Sequence, residues 1–175
     1  MTQTQLIAAI QSRVHVRARS TGMRQAGARP RGRTLRRVPN PPASEENVVA
    51  LESLLLHPLP RLFRRLYMKI GDGGFGPGYG LLPLASVRHE YLRFRRIYSW
   101  WPVALIPVLE WGCGIFSCID LDSPFTAVLR YDPDLEEEQT RRVFGSGYVA
   151  PHLLPEAESF HAWLEAWLSG RPLVA

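Results

Sequence analysis

With 175 residues, 46% of them apolar and five Trp, the chain can bury the core of one domain of ordinary size. No apolar run approaches the ~18 residues that a membrane-spanning helix needs, and Leu6 to Ile10 is too short, with its basic residues on the wrong side, for a signal peptide. The net charge of +5 is uneven: residues 1–44 hold nine Arg and no acidic residue, whereas 45–175 hold the other twelve basic residues and all sixteen acidic ones, a net −4.

Residues 1–44 are rich in Arg, Gly, Ala, Pro and Ser and lack aromatics. They read as a disordered leader, closed by the stiff linker PNPPAS at 39–44. Three roles compete for it: a phosphate-attracting tail, an organelle transit peptide, and an extension upstream of a start at Met23. The absence of an aromatic to stack on bases favours a non-essential extension or unstructured tail. The domain, 45–175, begins with a helix that Ser44 caps, with Glu45 and Glu46 in its first turn and an apolar face from Val48 to Leu55. Pro58 and Pro60 separate it from a second helix over 60–70, where Leu62, Phe63, Leu66, Tyr67 and Ile70 recur at helical spacing.

Six glycines then fall between Gly71 and Gly80. A short strand is expected over 79–84, and a third helix from Ala85 to Tyr98. From Trp101 the period changes. Strands are expected over 103–111, 114–121 and 125–131, joined by short connections, which implies an antiparallel meander. Leu135 to Phe144 reads as a helical turn, followed by Gly145-Ser146-Gly147. The last element, Pro155 to Leu168, places Phe160, Trp163, Leu164, Trp167 and Leu168 at helical spacing, with Gly170 at its end.

The glycine run contains G-x-G-x-x-G as Gly71, Gly73 and Gly76, a pattern that binds dinucleotide phosphates when it follows a strand and opens a helix. Here a helix precedes the glycines and a strand follows, and no Gly-Lys-Ser/Thr follows for a P-loop. The run therefore reads first as a helix end and chain reversal. Cys113 and Cys118 lack the further ligands that zinc requires, the five His are scattered, and D-P-D-L-E-E-E is not a calcium loop. No cofactor or metal is expected. The two cysteines read as small buried hydrophobes in a reducing cytoplasm.

The block LPRLFRRLYMKIGDGGFGPGYGLLPL, the segment PVLEWGCGIFSCIDLDSPFTAVLRYDPD and the terminal SFHAWLEAWLSG together resemble the SUKH superfamily, that of fungal cell-wall assembly regulators and many bacterial immunity proteins. The matching positions are Leu59, Pro60, Leu66 and Tyr67, then Gly73, Gly74 and Phe75, then Pro107, Trp111, Gly112 and Asp120, and finally Asp132-Pro133 and Phe160, Trp163 and Leu164. The resemblance implies a single α+β domain, an antiparallel sheet packed by helices, that binds proteins and has no shared catalytic residue set. It implies an immunity protein that neutralises a toxin such as a nuclease, or a related regulatory scaffold.

Asp72, Phe75, Tyr79 and Trp100 are the candidate partner-binding residues, chosen because they are expected to be exposed. The acidic turns around Asp120, Asp122, Asp132, Asp134 and Glu136 to Glu138 suit a basic toxin as partner, although turn chemistry and a helix N-terminus explain them as well. Two alternatives stay open: an enzyme that uses the Gly71–Gly80 loop as a substrate cradle, and nucleic-acid binding through the Arg-rich leader.

Overall fold

A computed structural model describes residues 1–22, 39–135 and 151–173 of the chain. Its helices are α1 (Gln3–Gly22), α2 (Glu45–Leu55), α3 (Arg61–Lys69), α4 (Leu84–Ile97) and α5 (Phe160–Ser169). Its strands are β1 (Leu105–Gly112), β2 (Ile115–Asp120), β3 (Val128–Tyr131) and β4 (Leu153–Ala157). The strands form one antiparallel sheet in the order β1-β2-β3-β4. The fold is thus the expected α+β domain, with a sheet packed by helices.

The helix boundaries follow from local chemistry. Ser44 accepts the Asn47 N–H at 3.2 Å and starts α2, whose Val48, Leu51 and Leu55 turn inward. Arg64 of α3 reaches back to both Glu52 and Glu45, while the other Glu52 oxygen accepts the Leu59 N–H at 2.8 Å. One carboxylate thereby fixes the turn between α2 and α3. Ser159 caps α5 by accepting the Ala162 N–H at 3.0 Å, and Gly170 ends that helix in the left-handed region.

Both faces of the sheet are covered. Phe116 of β2 and Tyr131 of β3 are cross-strand partners and share one face, where Phe94 of α4 meets each ring edge-on and Trp101 stacks on Phe94 at 4.2 Å between centroids. Ser117 and Ile119 point the other way, towards the side on which Trp163 of α5 is buried. β1 and β2 join through Cys113 and Gly114, both at positive φ, as the tightest hairpins require. Cys118 is buried as expected, whereas Cys113, also expected to be buried, is exposed at the turn, and both are free thiols.

Three expectations about secondary structure need correction. The leader was expected to be disordered throughout. Residues 23–38 lie outside the described residues, but α1 is a helix that packs against α3 and α5 and buries Leu6, Ile7 and Ile10 in the common core. These apolar positions, continued by Val14, recur at helical spacing ahead of the Arg-rich stretch, and the composition of the whole leader concealed them. Arg13 fixes the contact: its guanidinium lies 4.7 Å from the Trp167 ring centroid and donates to the Leu168 carbonyl at 2.9 Å, at the C-terminal end of α5.

Second, residues 79–84 form no strand. Gly78 and Gly80 have positive φ and Pro83 lacks a donor, and the segment's backbone hydrogen bond to β1 is that of the Leu82 N–H, which donates to the Val108 carbonyl at 2.8 Å. Third, the meander has a fourth strand. β4 occupies 153–157, part of which was assigned to the last helix, and that helix starts at Phe160. Pro155 fits β4 because, among the described residues, the strand lies at the sheet edge. The helical turn expected over 135–144 and the glycines at 145 and 147 lie outside the described residues, apart from Leu135.

If α1 completes the core, Leu6→Ala should lower the unfolding free energy by about 2–5 kcal/mol. Urea denaturation of the full chain measures this, and a loss within about 0.5 kcal/mol would show that α1 does not dock.

Candidate partner-binding surface

The loop between α3 and α4 is closed by its own backbone. The Gly74 N–H donates to the Leu81 carbonyl at 2.8 Å, the Leu81 N–H to the Phe75 carbonyl at 2.7 Å and the Gly80 N–H to the Pro77 carbonyl at 2.8 Å. The Asp72 N–H donates to the Pro41 carbonyl at 3.0 Å, and the Gly73 N–H to the Gly71 carbonyl at 2.9 Å. The Tyr67 hydroxyl, buried under the loop, donates to the Leu82 carbonyl at 2.6 Å, and burial holds its pKa well above the usual phenol value. The loop therefore ties the 40–43 segment, α3, α4 and β1 together.

Close approach requires glycine at several loop positions, Gly73 and Gly78 among them. A Cβ on Gly73, whose φ is +76°, would sit 2.6 Å from the Pro83 nitrogen and 2.7 Å from the Leu81 oxygen. At Gly78, with φ +51°, a Cβ would sit 2.8 Å from Cζ3 of Trp111. The Trp111 indole thus lies directly on the loop and carries its position into the sheet. Its Nε1 donates to Ser117 Oγ at 2.8 Å, and that hydroxyl donates to Glu156 Oε2 of β4 at 2.6 Å.

Glu156 is a half-buried carboxylate. Burial raises its pKa above the usual carboxylate value, while the Ser117 hydrogen bond, the Trp163 indole and the charge of Arg130 each pull it back. The Trp163 indole lies close without reaching hydrogen-bond geometry: Glu156 Oε1, Arg130 Nε and Trp163 Nε1 are buried without a hydrogen-bond partner among the described residues. Glu156 was not singled out from the sequence. Pro155 suggested a helix start, and nothing local signalled that the next residue would face β2.

The four expected contact residues separate. Asp72 is half-buried, and its Oδ1 accepts the Leu84 N–H at 2.7 Å, which caps the N-terminus of α4 and places a negative charge where the helix dipole favours it. Phe75 is only 3% exposed and meets Tyr67 edge-on in the core, so the expectation that it is exposed does not hold. An aromatic ring among glycines read as a projecting tip, but the loop folds over it. Tyr79 is 58% exposed, as expected. Trp100 is half-buried among Tyr98, Trp101 and Tyr131. It follows the C-terminus of α4, whereas Asp72 caps the N-terminus. α4, with 14 residues at 1.5 Å each, is about 21 Å long, so the two lie at its opposite ends. They do not form one patch.

The acidic turns largely serve the fold. Asp120 Oδ1 accepts the Asp122 N–H at 3.0 Å, and Asp132 Oδ1 accepts the Asp134 N–H at 3.1 Å. Asp120 is buried, which raises its pKa, and Asp122 remains outside, 3.9 Å from the imidazole of His57. Glu136 to Glu138 lie outside the described residues. Burial also raises the Cys118 pKa well above the usual thiol value, so this thiol is held as a neutral packing group. Among the described residues, no helix is long and apolar enough to cross a membrane.

A four-stranded antiparallel meander covered by helices, with a glycine loop locked on the sheet by a tryptophan, defines an α+β domain whose polar groups mainly hold its own elements together. The SMI1 / KNR4 family (SUKH-1) matches residues 42–166, and the chain belongs to that family. No curated protein matches the chain.

The raised pKa of Glu156 yields a pH test. The folded state holds this proton more tightly than the unfolded chain, so the group costs stability as pH rises from the ordinary carboxylate value of 4.5 through its folded value. Glu156→Gln cannot ionise and keeps an oxygen for the Ser117 hydroxyl. The variant should be more stable than the native chain at pH 7, and the gap should close in urea titrations below pH 4.5. A gap of equal size at both pH values would contradict the assignment.

Proposed function

We propose that the chain is a non-enzymatic protein-binding module acting in the cytoplasm, an immunity protein that neutralises a toxin or a related regulatory scaffold, with residues 45–175 as the binding domain. Membership of the SMI1 / KNR4 family (SUKH-1) is the observation that carries this reading.

The loop geometry supports it against an enzyme with a phosphate or substrate cradle. Such a cradle works through backbone N–H groups that point at the ligand. Here the N–H groups of Asp72, Gly73, Gly74, Gly80, Leu81 and Leu82 already donate to carbonyls of the same chain. What the loop offers outward is the Tyr79 ring, an amphipathic side chain of the type that anchors protein interfaces. The net −4 of residues 45–175 adds long-range attraction for a basic toxin.

The test is inhibition of the toxin encoded beside this chain's gene, titrated with purified full-length protein. The expected result is loss of toxin activity at stoichiometric amounts, with no turnover of any small molecule, and association that slows as ionic strength rises. Full toxin activity in the presence of excess protein would contradict the immunity reading. Association of equal speed at low and high salt would contradict its electrostatic part.

A further inference from the structure

The outward face of α4 presents two rows of side chains at four-residue spacing, Arg88-Leu92-Arg96 and His89-Arg93-Ile97. The opposite face, with Leu84, Val87, Tyr91 and Phe94, is buried. A shallow groove of about 390 Å³ is lined by His89, Leu92, Arg93, Arg96 and Ile97. Leu92 is 44% exposed and Ile97 55% exposed, although both are large and apolar.

The cations on this helix divide by role. Arg93 is held by Glu90 at 2.6 Å and lies 4.5 Å from the Phe94 ring centroid, and Arg95 donates to the Trp101 carbonyl at 2.6 Å. These two secure the helix. Arg88 and Arg96 are exposed and make no ion pair or hydrogen bond among the described residues. The face therefore combines an apolar seam with positive charge that the fold itself does not use.

We propose that the outward face of α4 docks an acidic amphipathic helix of a protein partner. The i±4 rows form ridges into which the ridges of a second helix fit. Leu-type side chains of the partner would cover Leu92 and Ile97, and carboxylates beside them would pair with Arg88 and Arg96. A nucleic-acid backbone matches the charge but leaves Leu92 and Ile97 uncovered, and the groove offers no Phe, Tyr or Trp ring for bases to stack on, only the imidazole of His89. A small molecule is a poorer fit, because one helix alone lines the groove and cannot enclose it. The proposal rests on the protein-binding reading and names a surface for it. It holds for a partner of either net charge, since a protein that is basic overall can present one acidic helix.

The probe is a fluorescein-labelled synthetic helical peptide with leucine along one stripe and glutamate on its flanks. Binding to the full-length chain is read by fluorescence anisotropy. Controls are the same peptide with serine for leucine, the same peptide with lysine for glutamate, and a single-stranded RNA oligonucleotide. The Leu/Glu peptide should bind most tightly, and Arg96→Glu and Leu92→Ser should each weaken it about tenfold. Both positions face outward, and circular dichroism of each variant checks that the fold is kept. Equal binding of the serine peptide, tighter binding of the RNA, no binding of the Leu/Glu peptide, or unchanged affinity in both variants would each overturn the proposal. No toxin enters this experiment, so its failure leaves the inhibition titration standing, and failure of that titration leaves the peptide result standing.

Discussion

Within the loop from Gly71 to Gly80, the N–H groups of Asp72, Gly73, Gly74 and Gly80 donate to carbonyls of the same chain, and the rest of the domain is positioned by that closure. Asp72 starts α4 by accepting the Leu84 N–H, while Asn40 donates to the Asp72 carbonyl and brings in the segment ahead of α2. The Tyr67 hydroxyl joins α3 to the loop exit, and the Leu82 N–H joins that exit to β1. A substituent at Gly73 would collide with backbone on the opposite side of the loop, where no rotamer change can relieve it. The density of glycine follows from this crowding, with no need for a phosphate.

From the loop, position passes into the sheet through one side chain. Trp111 packs on Gly78 and its indole N–H donates a hydrogen bond to Ser117, which in turn donates to Glu156 of β4. This chain of contacts spans β1, β2 and β4. It places a carboxylate in surroundings that disfavour its charge, with Arg130 as partial compensation. The opposite face of the sheet is closed by aromatic packing around Phe94. α4 therefore has its inner face fixed by rings and its start fixed by Asp72, and its outer face is left to present Leu92, Ile97, Arg88 and Arg96 on a rigid support.

Elements with their own periodicity were legible in the sequence. The apolar spacing of Leu62, Phe63, Leu66 and Tyr67 gave α3, the Ser44 and Ser159 caps suit the helices that follow them, and β1, β2 and β3 lie close to the expected strands. What escaped depends on tertiary contacts. Leu6, Ile7 and Ile10 gain meaning only against α3 and α5, which lie far along the chain. β4 carries a proline and few inward residues, so it looks like a helix start until β3 lies beside it. Phe75 looked like an exposed tip because a glycine-rich loop usually is one, and only the ring of Tyr67 beneath it shows that the loop folds inward. The functional surface was the least legible part, because exposure of Tyr79, Leu92 and Ile97 depends on where the rest of the chain goes.

The most direct test of the account is amide hydrogen exchange across the glycine loop, followed by NMR on the full-length chain with and without ATP or NAD. The account predicts that the N–H groups of Gly74, Leu81 and Leu82 are protected to nearly the same degree as the central β2 amides of Cys118 and Ile119, and that neither nucleotide alters them. Exchange at the rate of open surface amides, together with new protection or shifted resonances when a nucleotide is added, would contradict it and restore the loop as a phosphate cradle.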